Sequence, residues 1–195
     1  MRASTSGREG ELPTLWLKPA IPANYEEGWA LALGDALLES RLPIDISTQP
    51  ALWGGLIRGT SAVLMARTGP ELNYAVDEAH AIDLTQAHLI EILSAIGREH
   101  LDCYALNIPS LLSESTIVGF LHATSAAREE GYLGSIGLAC DGAPKSLASI
   151  LATHSSFEFV LDWHEGEARV GLVQMNSVMV RSSQDVQSVL KGVAA

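Results

Sequence analysis

The sequence predicts an α/β fold in which a parallel sheet is covered by helices, and three observations predict it. Seven short apolar runs alternate with longer segments of helical period along the 195 residues. Several of the runs (AVLMA, SIGLA, FVL) are near-continuously apolar, the pattern of strands buried on both faces. The connections are tight, and no shift in composition marks a boundary between domains. Strict βα alternation leaves two architectures, an open doubly wound sheet or a (β/α) barrel.

Residues 1–11 are polar and contain glycine and serine, so they are expected to form a flexible tail before a single domain over 12–195. The expected strands are Thr14–Leu17, Pro43–Ile46, Ala62–Ala66, Leu101–Leu106, Tyr132–Cys140, Phe157–Leu161 and Ala168–Met175. Trp29, Leu33 and Leu37 mark a first helix. Asp83 to Gln86 reads as a capping box ahead of Leu89, Ile92, Leu93 and Ile96. Ser113 can cap a helix carrying Ile117, Phe120, Leu121 and Thr124, which stops at Glu130-Gly131. Pro144 suits a first helical turn before Leu147, Ile150 and Leu151. Ser182 or Ser183 starts a last helix with Val186, Val189, Leu190 and Val193.

Composition narrows the function classes. With 12 basic and 23 acidic residues the net charge is −11, and no basic cluster offsets it locally. Nucleic acid and anionic membrane surfaces are therefore disfavoured as partners. Hydrophobic residues make up 47% and charged ones 18%, enough for a packed core. Cys103 and Cys140 form neither a metal-ligand spacing nor a disulfide framework. No signal-like or membrane-spanning apolar run is present, so a cytoplasmic globular chain is expected. The P-loop, His-Glu-x-x-His and Gly-x-Ser-x-Gly motifs are absent, and Pro19 and Pro22 stand where a dinucleotide fold needs glycines.

The middle of the chain carries more. The stretch LTQAHLIEILSAIGREHLDCYALNIPS is followed by a helix, then EEGYLGSIGLAC, then a helix and FEFVLDW. With LLESRLPIDIS and AVLMARTG upstream, this ordered set resembles the aldo-keto reductase family over roughly Ala30 to Trp163. The resemblance implies a (β/α) barrel, here shortened to about seven parallel strands with outer helices. It also implies carbonyl reduction with NADPH, in which a tyrosine general acid works beside a lysine, an aspartate and a histidine. Hydride reaches carbon while a proton must reach the developing alkoxide, so the tyrosine has to be tuned by a neighbouring cation.

Set against that pattern, Asp45 matches the aspartate, Arg67 stands for the lysine and Asn107 for the histidine. The tyrosine position falls in Gln49–Trp53, where there is none. Arg67 does not replace lysine simply, because guanidinium is a diffuse, always-protonated fork. The three lysines, Lys18, Lys145 and Lys191, are expected away from that strand end. Tyr25 and Tyr74, in loops of the same face, are the remaining donors. Ala139 and Cys140 occupy the positions of the serine and asparagine that hold the nicotinamide amide. Leu161 occupies that of the glutamine, and Met175 or Asn176 that of the stacking aromatic. The eighth strand and the loop gripping the adenosine phosphate have no counterpart.

The expected reading is therefore a diverged, non-catalytic aldo-keto reductase-like protein that binds a small-molecule ligand or a protein, with no cofactor. The alternative is an NADPH-dependent oxidoreductase of aldehydes or sugars with a rebuilt site. Asp45 and Arg67 also have a plain structural reading as a buried ion pair. Asp141, Asp162 and His164 lie at strand ends, and Asp77, Glu78 and His80 follow the third strand. These mixed carboxylate and histidine groups could ligate a metal but are commoner as solvated loop residues, so no metal is expected. Cys103 and Cys140 read as small core hydrophobes, and His88, His100 and His122 as solvent-facing. The four tryptophans read as packing residues, Trp53 having the best claim to a ligand. Seven strands leave two unpaired edges, from which a homodimer through the surface near Ala168–Val180 is expected.

Overall fold

A computed structural model describes residues 12–24, 26–108, 111–140, 144–163 and 172–193. Seven parallel strands close into a barrel in sequence order, each paired with its neighbours in the chain. The strands are β1 (Leu15–Pro19), β2 (Ile44–Asp45), β3 (Leu64–Arg67), β4 (Leu101–Ile108), β5 (Leu133–Cys140), β6 (Phe159–Leu161) and β7 (Val173–Val180). The helices are α1 (Trp29–Ser40), α2 (Pro50–Ile57), α3 (Glu78–Ile96), α4 (Glu114–Glu129), α5 (Pro144–Thr153) and α6 (Ser183–Val193). Between the two architectures that βα alternation allows, the ring is the one formed.

Closure corrects the expectation of open edges. β1 pairs with β7 over five residues, from Leu15 opposite Asn176 to Pro19 opposite Val180. The backbone groups of both end strands are thereby engaged, and the reason given for a homodimer lapses. The last strand also runs further than expected. It begins at Val173 and continues to Val180, because Asn176 to Val180 pair with β1.

Buried side chains form two layers. Between strands and helices lie Leu17, Ile44, Leu106, Ile136, Leu138, Phe120 and Phe157. Inside the ring lie Trp16, Met65, Cys103, Ala105, Ala139, Phe159, Leu161 and Met175, so the lumen is packed. Gly137 makes this filling possible: a Cβ there would stand 2.3 Å from the Phe159 ring. The Cys103 thiol inside the lumen is pushed up to about 12 by burial, helped by the charges of Asp102 and Glu158.

Helix boundaries follow local chemistry. Asp77 caps α3 by accepting from the His80 N–H at 2.8 Å, so the helix starts six residues before the expected Asp83 box. Ser113 caps α4 through the Thr116 N–H at 3.1 Å, and Gly131 follows it at φ +85°. Ser182 accepts from the Asp185 N–H at 3.2 Å and opens α6. α2 was not among the expected helices, and it carries a glycine pair that disfavours helix. The glycine is there for close packing: a Cβ on Gly54 would meet the Ala95 carbonyl of α3 at 2.4 Å. Among the described residues no helix is long and apolar enough to cross a membrane.

His88 departs from its expected solvent-facing place. It is half-buried on α3, and its Nδ1 lies 2.6 Å from the hydroxyl of the fully buried Tyr104. Desolvation holds its pKa below the ordinary 6.5, against the opposing charges of Glu91 and Glu71. The folded chain therefore binds fewer protons than the unfolded chain below pH 6.5, so this contribution is complete above 6.5 and is lost as pH falls through the folded value. In urea unfolding, the stability difference between wild type and His88→Gln should shrink as pH drops from 7 toward 5. A difference that stays constant across that range would show that His88 is not the group responsible.

Candidate functional site: the C-terminal mouth of the barrel

The C-terminal ends of β2, β3 and β6 and the middle of β7 come together around one guanidinium. Arg67 at the end of β3 is 4% exposed and Asp45 at the end of β2 is completely buried. Arg67 Nε and Nη2 lie 2.9 and 2.8 Å from Asp45 Oδ2. Nη2 also reaches across the ring to Asp162 Oδ2 at 3.0 Å and Ser177 Oγ at 3.1 Å. The carboxylates are themselves held. Asp162 accepts the Ser177 N–H and O–H, both at 2.6 Å. Asp45 accepts the Ser47 N–H at 3.1 Å and also its hydroxyl, while Ser47 Oγ accepts the Arg67 N–H at 2.8 Å. Strand pleating explains the convergence: Met65 and Arg67, and Met175 and Ser177, point into the ring by period two. Asp162 adopts φ +58°, a left-handed backbone that turns its carboxylate back over the mouth.

The expected Asp45–Arg67 pair is therefore present, and it is part of a larger cluster. Asp162 belongs to it; His164, Tyr25 and Asp141 lie outside the described residues. Ser47 and Ser177 were missed, although each stands two residues from an inward-facing neighbour and the alternation marks them. Asn107 ends β4 on the inner face, with its backbone N–H donated to Thr68 Oγ1 at 3.0 Å. Its Oδ1 is buried and has no hydrogen-bond partner.

Other expected positions are placed elsewhere. Ala139 and Leu161 are completely buried in the lumen and offer no polar group. Cys140 packs on the outer layer against the helices. Trp53 is 1% exposed, stacked edge-on against Trp29 at 5.8 Å, and is a packing residue of α2. Tyr74 is 78% exposed in a short 3₁₀ turn (Pro70–Tyr74). Asp77 is the cap of α3, and Glu78 pairs with His122 at 2.8 Å. Among the described residues no group of three potential ligands is placed to hold a metal.

One lysine was misplaced by the sequence reading. Lys18 lies on β1, two residues beyond the inward-facing Trp16 and in register with Met179 of β7. It is half-buried at the mouth itself. The alternation from Trp16 was the signal that could have found it. At the end of β7, the Arg181 and Ser182 N–H groups before α6 are both accepted by Asp185, at 2.7 and 3.0 Å. This strand-to-helix turn is where such barrels often take a phosphate, and here the chain's own carboxylate occupies it.

A closed parallel (β/α) ring with its polar cluster at the strand C-termini defines a barrel of the class that carries sites at that face. Among solved structures the chain is similar to aldo-keto reductases. One from Brucella melitensis matches with TM-score 0.58 at 18% identity, covering 77% of this chain and 58% of that one. MGS-M4, an aldo-keto reductase enzyme from a Medee basin deep-sea metagenome library, matches with TM-score 0.58 at 15% identity, covering 77% and 53%. One from Klebsiella pneumoniae in complex with NADP and acetate matches with TM-score 0.57 at 15% identity, covering 77% and 54%. The fold is thus that of the aldo-keto reductase barrel, and the chain spans little more than half the length of these structures. No family model and no curated protein matches the sequence.

Removing one partner from a buried, hydrogen-bonded pair leaves an uncompensated charge and costs about 3–5 kcal/mol. Asp45→Ala should therefore lower the unfolding free energy by about that amount in chemical denaturation. A loss within about 0.5 kcal/mol, the usual size of a surface substitution, would mean that the pair does not hold the mouth.

Proposed function

We propose that this protein is a non-catalytic barrel that binds a small ligand at its mouth. The observation that carries the reading is the full engagement of Arg67 by Asp45, Asp162 and Ser177. Carbonyl reduction needs a proton donor within hydrogen-bond reach of the developing alkoxide, with a pKa near working pH. Guanidinium stays protonated and is oriented by two carboxylates, Asn107 cannot carry the proton, and Tyr74 stands out in solvent. Among the described residues Tyr104 is the one buried tyrosine, but it faces the helices and its hydroxyl is bonded to His88.

The residues present also do not fit a nicotinamide dinucleotide. Ala139 and Leu161 supply no hydrogen bond where the carboxamide would need one, and Asp185 sets a negative charge where a phosphate would need amides. The alternative reading, an NADPH-dependent oxidoreductase of aldehydes or sugars, draws on the likeness to structures that hold NADP.

Titrating tryptophan fluorescence with NADPH separates the two. The expected result is no saturable quenching up to about 100 μM, a range that spans usual cofactor affinities, and no NADPH oxidation with a generic aldehyde. Saturable quenching together with turnover would establish the oxidoreductase.

A further inference from the structure

Away from the mouth, a groove of about 720 Å³ runs along the outside of the barrel between α3 and α4. That size falls within the roughly 300–1,000 Å³ usual for small-molecule sites. The sequence explains its shape. In their first turns the two helices touch at Gly119, where a Cβ would stand 2.6 Å from both Ala81 Cβ and the Glu78 carbonyl oxygen. Beyond that contact α4 presents Ala123, Ala126 and Ala127, side chains too short to fill the space beside Leu89 and Leu93 of α3. Ile90 stands 66% exposed on the α3 rim. The result is an apolar trough, closed at one end by the Gly119 contact. From Gln86 to Gly97 it measures about 16 Å at a helical rise of about 1.5 Å per residue. A dead-ended trough of this length suits a short molecule better than a partner helix, which would have to run on over the closed end.

The other end is electronegative on its α4 side. Glu99 and Glu130 line it, and among the described residues neither carboxylate has an ion pair or a hydrogen bond. The C-termini of α3 and α4 also end here, and their dipoles favour a cation. Two arginines stand close, both toward α2. Arg98 donates to the Thr60 and Ala62 carbonyls at 2.7 Å, and Arg58 follows α2 directly. Arg128 is paired with Glu158 at 2.6 Å, and His100 Nδ1 donates to the Gly131 carbonyl at 2.9 Å. Tyr132, 44% exposed, adds an aromatic ring to the same end of the groove. An ammonium placed there meets carboxylates, helix carbonyl ends and a ring, each of which attracts a cation.

We infer that this groove binds an amphiphilic organic amine, with its hydrocarbon tail along the trough and its ammonium at Glu99, Glu130 and Tyr132. A chain of about ten carbons covers most of the trough at C–C lengths of about 1.5 Å. Each methylene buried there raises affinity about fourfold. A carboxylate in place of the ammonium is repelled by the same groups. The net charge of −11 draws cations toward the chain as a whole. The groove is separate from the mouth and does not depend on what binds there.

Amide-resolved NMR titration of the full chain with decylamine, decanoate and butylamine, each kept below its aggregation concentration, tests the site. Decylamine should saturably shift amides within 89–99 and 123–132, and the other two should bind at least about tenfold more weakly. Ala126→Phe should fill the trough and weaken decylamine at least about tenfold, with the wild-type Tm retained. Ser94→Phe fills the trough from the opposite wall and serves if the first variant unfolds. Glu130→Gln should narrow the preference for decylamine over decanoate by about fivefold. Equal binding of amine and acid, shifts scattered over the acidic surface, or decylamine binding unchanged by the phenylalanine would overturn the inference.

Discussion

The mouth of this barrel depends on one buried guanidinium that reaches from one side of the ring to the other. Arg67 leaves β3, meets Asp45 beside it on β2, and crosses to Asp162 at the end of β6 and Ser177 within β7. A point cation would not link three strands this way, whereas a planar fork can serve several acceptors at once. The arrangement is demanding, since burying charge is unfavourable unless every lone pair and proton finds a partner. Ser47, Ser177 and backbone N–H groups supply those partners. The same satisfaction removes Arg67 from any role that needs a free or proton-releasing group.

Below that layer the ring solves a packing problem. Seven strands with an eight-residue climb enclose a narrow lumen, which Trp16, Phe159, Leu161, Met65 and Met175 fill. Gly137 yields its side-chain volume to Phe159, and the small Ala105 and Ala139 stand beside large neighbours. A filled lumen leaves function to the strand ends. There the Arg67 cluster spans the mouth, and the buried Asn107 Oδ1 is left without a hydrogen-bond partner.

Much of the fold was legible because burial on both faces writes continuous apolar runs, and helices between them keep a 3.6-residue period. α2 escaped because it is short and carries Gly54, which serves close packing against α3 and in sequence is indistinguishable from a turn glycine. The start of α3 escaped because two motifs competed: Asp77 caps it, while Asp83 carries a better-looking box inside it. The ring's closure was hidden for a different reason. Sequence patterns report which strands exist, but the β1–β7 ladder is a long-range pairing set by the climb of the register. At the site, Asp45, Arg67 and Asn107 were visible as departures from a family pattern. Asp162 was seen at its strand end but not joined to Arg67, because the link depends on a left-handed backbone that directs its carboxylate across the ring. Lys18 was overlooked because the expected first strand ended at Leu17, one residue short of it, although Trp16 fixes the inward face of β1.

The account stands on the link across the ring between Arg67 and Asp162. A double-mutant cycle on unfolding free energy, with Arg67→Met and Asp162→Ala singly and together, measures that link without the other contacts. Groups joined by a direct, partly buried ion pair couple by about 1 kcal/mol or more, and the account predicts a coupling of that size. Additivity within about 0.3–0.5 kcal/mol, the behaviour of independent sites, would contradict it.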